Sequence, residues 1–157
     1  MHYPVNCNNL SPKTEFYEEV TTLYVTATNY LKSFHWCNQI KDAFLYTNIG
    51  RVFCIFLFDI DNLSSDEDNL LWIIVGDIPS MYLDTQGPQT TREVVEDYIR
   101  LSQNWIKNIK TGSSLEFCFP FRAEPTLELA GLLEKKIAFM KATLINDIDN
   151  LSLSAIN

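Results

Sequence analysis

Five carboxylates, Asp59, Asp61, Asp66, Glu67 and Asp68, crowd into one stretch with no base among them. Oxygen ligands at such density could hold a hard cation, act as an acid–base pair, or meet a basic partner. The calcium-loop template requires oxygen ligands at alternate positions, a glycine at the sixth and a glutamate at the twelfth. Counted from Asp59, those places hold Leu63 at the third ligand, Ser64 at the sixth and Leu70 at the twelfth, so the template fails. Acid–base catalysis needs a carboxyl group in a desolvated cleft, whereas these lie among Ser and Asn in a polar loop. Neither a metal nor a catalytic residue is expected here.

His35, Trp36 and Cys37 form the second concentration of reactive side chains. Zinc would need ligands from His2, Cys7, Cys54 or Cys118, and the spacing matches no zinc motif. A helix-terminal His, an anchoring Trp and a buried thiol account for the triplet, while a pocket near His35, Cys37 and Cys118 stays open as an alternative. With no GxSxG, HExxH or glycine-rich phosphate loop, and only five glycines, no cofactor is expected.

The charge has a place as well as a size. Of a net −8, seven acids fall between Asp59 and Thr91 without a Lys or Arg, which leaves thirteen acids against twelve bases elsewhere. A surface of this kind repels phosphate and attracts basic proteins, so nucleic acid is excluded as a partner. Tyr82 and Asp84 lie just downstream, and an aromatic body amid carboxylates suits either a core position or an interface anchor. The partner-binding set is therefore Asp59, Asp61, Asp66, Glu67, Asp68, Tyr82 and Asp84.

The elements that must position these residues follow from periodicity. Ser11-Pro12 offers a helix start, and Phe16, Val20, Leu23, Ala27, Leu31 and Phe34 recur at helical spacing, so residues 12–34 are predicted helical despite many β-branched residues. Asn48-Ile49-Gly50 supplies a turn between two β-rich runs, the second apolar almost throughout, as in a central strand. "LLWIIVGDIPS", stopped by Gly76 and Pro79, and "SMYLDTQG" follow as third and fourth strands.

Thr90 to Glu93 fits a capping box ahead of a helix bearing Val94, Tyr98, Leu101, Trp105 and Ile109, which Gly112 ends. Pro125 opens a last helix with Ala130, Leu133, Ile137, Met140 and Leu144 on one face. The expectation is an α+β fold, a four-stranded antiparallel meander packed with an N-terminal helix and two C-terminal helices. A single domain spans 1–157, with residues 1–10 and 147–157 frayed. No apolar run is long enough for a bilayer, and "MHYPVNCNN" lacks a signal-peptide pattern, so a cytoplasmic protein with four reduced thiols is expected.

The segment "LLWIIVGDIPSMYLDTQGPQTTREVVEDYIRLSQNWI", with "HWCNQIKDAFLYT" upstream and "TLELAGLLEKKIAFMK" downstream, resembles a family of small uncharacterised bacterial domains. Its pattern is an apolar strand, Gly-Asp, a Pro, a short strand with an aromatic, then a capped helix with a late Trp. That resemblance supplies no catalytic residues. In general character the chain is also similar to bacterial immunity proteins, which implies a cognate basic toxin domain, for instance a nuclease, as partner. A small enzyme or ligand-binding domain and a structural adaptor or dimerisation domain are the alternatives.

Overall fold

The computed structural model describes residues 3–49, 52–116, 118, 124–144, 146 and 148–156. Its centre is the chain's most apolar strand, β3 (Phe53–Asn62). Phe53, Ile55 and Leu57 point to one face and Cys54, Phe56, Phe58 and Ile60 to the other, as the two-residue period of a strand demands. Both faces are buried, so layers are needed on both sides.

Four further strands flank it: β1 (Val5–Asn6), β2 (Cys37–Ile49), β4 (Leu70–Gly76) and β5 (Ile78–Asp84). They lie in chain order β1-β2-β3-β4-β5, each antiparallel to its neighbour. Helix α1 (Tyr17–Lys32) covers one face through Val20, Leu23, Ala27 and Leu31. Helices α2 (Thr91–Thr111) and α3 (Leu127–Phe139) cover the other, where Trp72, Tyr98, Trp105 and Leu133 meet. The protein is thus α+β with three helices and an antiparallel sheet. Among the described residues, no helix is long and apolar enough to cross a membrane.

Several expectations need correction. The sheet has five strands, because Val5 and Asn6 pair with Leu45 and Phe44 where fraying was expected. The other end is held too. Leu153 receives the Tyr46 hydroxyl on its carbonyl at 2.8 Å, and Thr91 is bonded to the backbone of Asp149 and Leu151. Ser11-Pro12 begins a turn, with the Ser11 hydroxyl accepting from the Lys13 N–H, and the helix starts only after Phe16, whose φ is 56°. Within α1 the hydroxyls of Thr21, Thr22 and Thr26 bond the carbonyls four residues back, which accommodates the β-branched run.

Pro79 does not stop the third strand, which ends at Gly76, but lies inside β5, tolerable because β5 is an edge. Thr90 caps α2 as expected, accepting from the Glu93 N–H at 3.2 Å, yet the Glu93 carboxylate reaches the Gln89 N–H instead of that of Thr90. At the other end Gly112 takes the left-handed conformation, φ 67°. The α3 cap is Thr126, one residue beyond Pro125. Gly50 and the Leu144 side chain lie outside the described residues, as does most of the connection after Leu115.

Two predictions follow from this packing. Gly76 has φ 153°, and a Cβ there would lie 2.2 Å from the Val52 carbonyl oxygen. Backbone strain and overpacking together make Gly76→Ala destabilising by about 3 kcal/mol, a fall in Tm on the order of 10 °C. Calorimetry that finds an unchanged Tm refutes this close approach.

The second concerns base. Burial pushes the Tyr46 phenol and the Cys7 thiol each up to about 12, the latter helped by Asp42, and it also raises Tyr98 and Cys54. The folded chain therefore keeps protons that the unfolded chain releases above the ordinary values of 9.0 and 10.0. That contribution to stability is complete below the lower values and declines as pH rises towards the folded ones. The urea midpoint should fall steadily from about pH 9 to pH 12, and a flat midpoint across that window contradicts the assignment.

Candidate functional site

The loop between β3 and β4 is built by Asn and Ser side chains. Asn62 N–H donates to the Asn69 side-chain oxygen at 3.1 Å, and Asn62 Nδ2 donates to the Asp68 carbonyl at 3.0 Å. Asn69 Nδ2 binds the Asp66 carbonyl at 2.8 Å, and the Ser64 and Glu67 N–H groups are taken by Asn62 and Ser65 oxygens. The main chain of the loop is thereby held by its own side chains.

Its other anchor is aromatic. The Leu63 N–H donates to the Trp36 carbonyl at 2.8 Å, tying the loop to the segment after α1. Trp36 stacks on Phe34 with ring centroids 4.9 Å apart, and Tyr82 meets both edge-on at 5.2 and 5.3 Å. All three rings are half-buried. Burial raises the Tyr82 phenol above its ordinary value, and the neighbouring Asp68 and Asp84 carboxylates add to it. A neutral phenol flanked by two carboxylates can donate a hydrogen bond while its ring offers a flat apolar contact.

The seven residues expected to bind a partner do not form one patch. Asp68, Tyr82 and Asp84 come together, and Asp66 and Glu67 are exposed on the loop beside them. Asp84 is held by the N–H groups of Gln86 and Gly87, at 3.0 and 3.1 Å. Asp59 and Asp61 instead belong to β3, paired with Asp42 and Gln39, and Asp61 accepts from Asn38 Nδ2 at 2.8 Å. Since Phe58 and Ile60 face α1, strand alternation turns Asp59 and Asp61 to the opposite face from Tyr82.

Among the described residues, none of these six carboxylates makes an ion pair. Asp77, in the same base-free tract, is paired with Lys136 at 3.1 Å. The surface also includes Leu63, 65% exposed within the acidic loop. From sequence Trp36 reads only as a packing anchor. The available signals were its i, i+2 relation to Phe34 and a lone apolar residue in a polar loop.

The reactive triplet is less assembled. His35 is exposed, and Cys37 packs against the α1-side core, whereas Cys118 packs on the α2–α3 side and accepts from Asn108 Nδ2 at 2.8 Å. The sheet stands between Cys37 and Cys118, so His35, Cys37 and Cys118 do not share one pocket. Burial raises the Cys37 thiol, with Lys32 opposing in part, which keeps it protonated and a weak nucleophile at neutral pH. Among the described residues, no three His, Cys, Asp or Glu side chains gather as a metal site.

What the geometry defines is an α+β domain carrying an acidic loop backed by a half-buried aromatic cluster. Comparison of the chain with protein-family models, with curated proteins and with solved structures finds no match.

The electrostatics can be read by fluorescence. Trp72 is fully buried and Trp105 nearly so, which leaves Trp36 as the tryptophan most open to solvent. With each ion's quenching normalised to that of a free tryptophan amide, caesium should quench its emission more strongly than iodide at equal, low ionic strength, and Trp36→Phe should remove the difference. Stronger quenching by iodide would mean that the carboxylates do not govern the potential there.

Proposed function

We propose that this protein is a non-catalytic binding protein, an immunity protein that neutralises a cognate basic toxin domain by covering its working cleft. The observation that carries this reading is Tyr82, set in the Phe34–Trp36 cluster with Asp68 and Asp84 beside it. Aromatic anchors supply buried area, and unpaired carboxylates around them steer a basic partner and raise the association rate. The absence of intramolecular ion pairs at these acids, among the described residues, leaves their charge available to a partner. A nuclease toxin, whose cleft is basic for phosphate, would be complementary to such a face.

The test is binding between the purified protein and the product of the immediately preceding reading frame, at low and at high salt. Tight, salt-sensitive binding that abolishes the partner's toxicity is the expected result, and no binding at either salt overturns the proposal. In that complex, reversing Asp66, Glu67 and Asp68 to Lys should slow association at low salt by about tenfold or more while leaving the circular dichroism unchanged. Unaltered association kinetics would remove the loop from the mechanism.

A further inference from the structure

On the far side of the sheet, α2 and α3 present matched stripes to each other. Gln103, Ile106, Lys107 and Lys110 follow the i, i+3, i+4, i+7 spacing of one helix face, and Glu134, Ile137, Ala138 and Lys141 repeat it from the other, Lys141 lying in the turn that continues α3. Between them lies a groove of about 510 Å³ lined by these side chains. That volume falls within the range of small-molecule sites. Ile106 and Ile137 lie beneath the groove, 5% and 3% exposed, and the exposed Ala138 stands at its edge, so the apolar part of its lining comes from these three and from the lysine stems. Lys110 reaches across to both oxygens of Glu134, at 2.8 and 2.7 Å, in a solvent-exposed pair.

Lys107 and Lys141 make no ion pair among the described residues. Three lysines against one glutamate make this groove locally cationic in a chain whose net charge is −8. We infer that the groove between α2 and α3 binds an anionic amphiphile, a small molecule with an apolar body on Ile106, Ile137 and Ala138 and a carboxylate or similar head between Lys107 and Lys141. A bare inorganic anion would leave the apolar lining uncovered, and an uncharged apolar molecule would leave the two ammonium groups without a counter-ion. The occupant is distinct from any partner of the acidic loop, which lies across the sheet.

Decanoate below its micelle concentration is the probe, titrated into the full chain by calorimetry. Decyltrimethylammonium with the same tail and acetate with the same head are the controls. Decanoate should bind at one site while neither control does. Lys107→Gln with Lys141→Gln should weaken binding about tenfold, equivalent to ~1.4 kcal/mol. Ala138→Trp, an exposed position, should fill the groove and block binding without altering the circular dichroism.

Equal binding of the cationic amphiphile, decanoate binding that survives both variants, or no decanoate binding overturns the inference. Sedimentation on the same samples tests the other occupants. A dimer that Ala138→Trp splits would assign the groove to a second copy, and displacement of decanoate by a short Glu/Leu amphipathic helix at lower concentration would assign it to an acidic protein segment. Each of those results also overturns the small-molecule reading.

Discussion

A strand that is apolar on both faces cannot be left half-covered, and β3 is such a strand. Phe53, Ile55 and Leu57 on one side and Phe56, Phe58 and Ile60 on the other are all buried. Leaving either set exposed would forfeit about 1.5–3 kcal/mol for each large side chain. The antiparallel meander supplies neighbours in the plane, but only α1 and the α2–α3 pair can close the faces. The three-layer arrangement, and with it the separation of the Tyr82 corner from the α2–α3 groove, follows from that single run of residues.

The acidic loop is a product of the same constraint. Once β3 and β4 pair in register from Phe53 with Gly76 to Asp59 with Leu70, the residues between Asn62 and Asn69 must turn outside the sheet. The Asn and Ser side chains there satisfy backbone groups that the ladder has abandoned. Trp36 then receives the loop through its carbonyl, so the end of α1 and the start of β2 are fixed against the same corner. Tyr82 arrives from β5 through its pairing with Ile73, which also faces α1. Aromatic residues separated by nearly fifty positions thus meet because strand order brings β5 and the α1 exit to one side.

Most of this fold was legible because its signals are periodic. The two-sided burial of β3, the stripes of α2 and α3, and the Thr90 cap all follow from spacing and residue type. What escaped lacks period. A two-residue strand at Val5 and Asn6 carries no alternation, and the C-terminal segment is held by isolated bonds from Thr91, Gln89 and Tyr46 that no local pattern announces. Ser11-Pro12 misleads because the same chemistry opens turns and helices. At the site, the sequence Phe58-Asp59-Ile60-Asp61 already alternates, and taking β3 two residues further would have separated Asp59 and Asp61 from the loop acids. The aromatic cluster was not legible, since Phe34, Trp36 and Tyr82 are joined only by tertiary packing.

Net charge is a poor guide to such a molecule. In the solvent over either face, charges farther off than about 8 Å are largely screened at physiological salt. A ligand near the α2–α3 groove therefore meets Lys107, Lys110 and Lys141 rather than the carboxylates around Tyr82, and a ligand near Tyr82 meets the reverse. A value of −8 averages unlike local fields, so the physical unit of the electrostatics here is the local surface and not the chain as a whole.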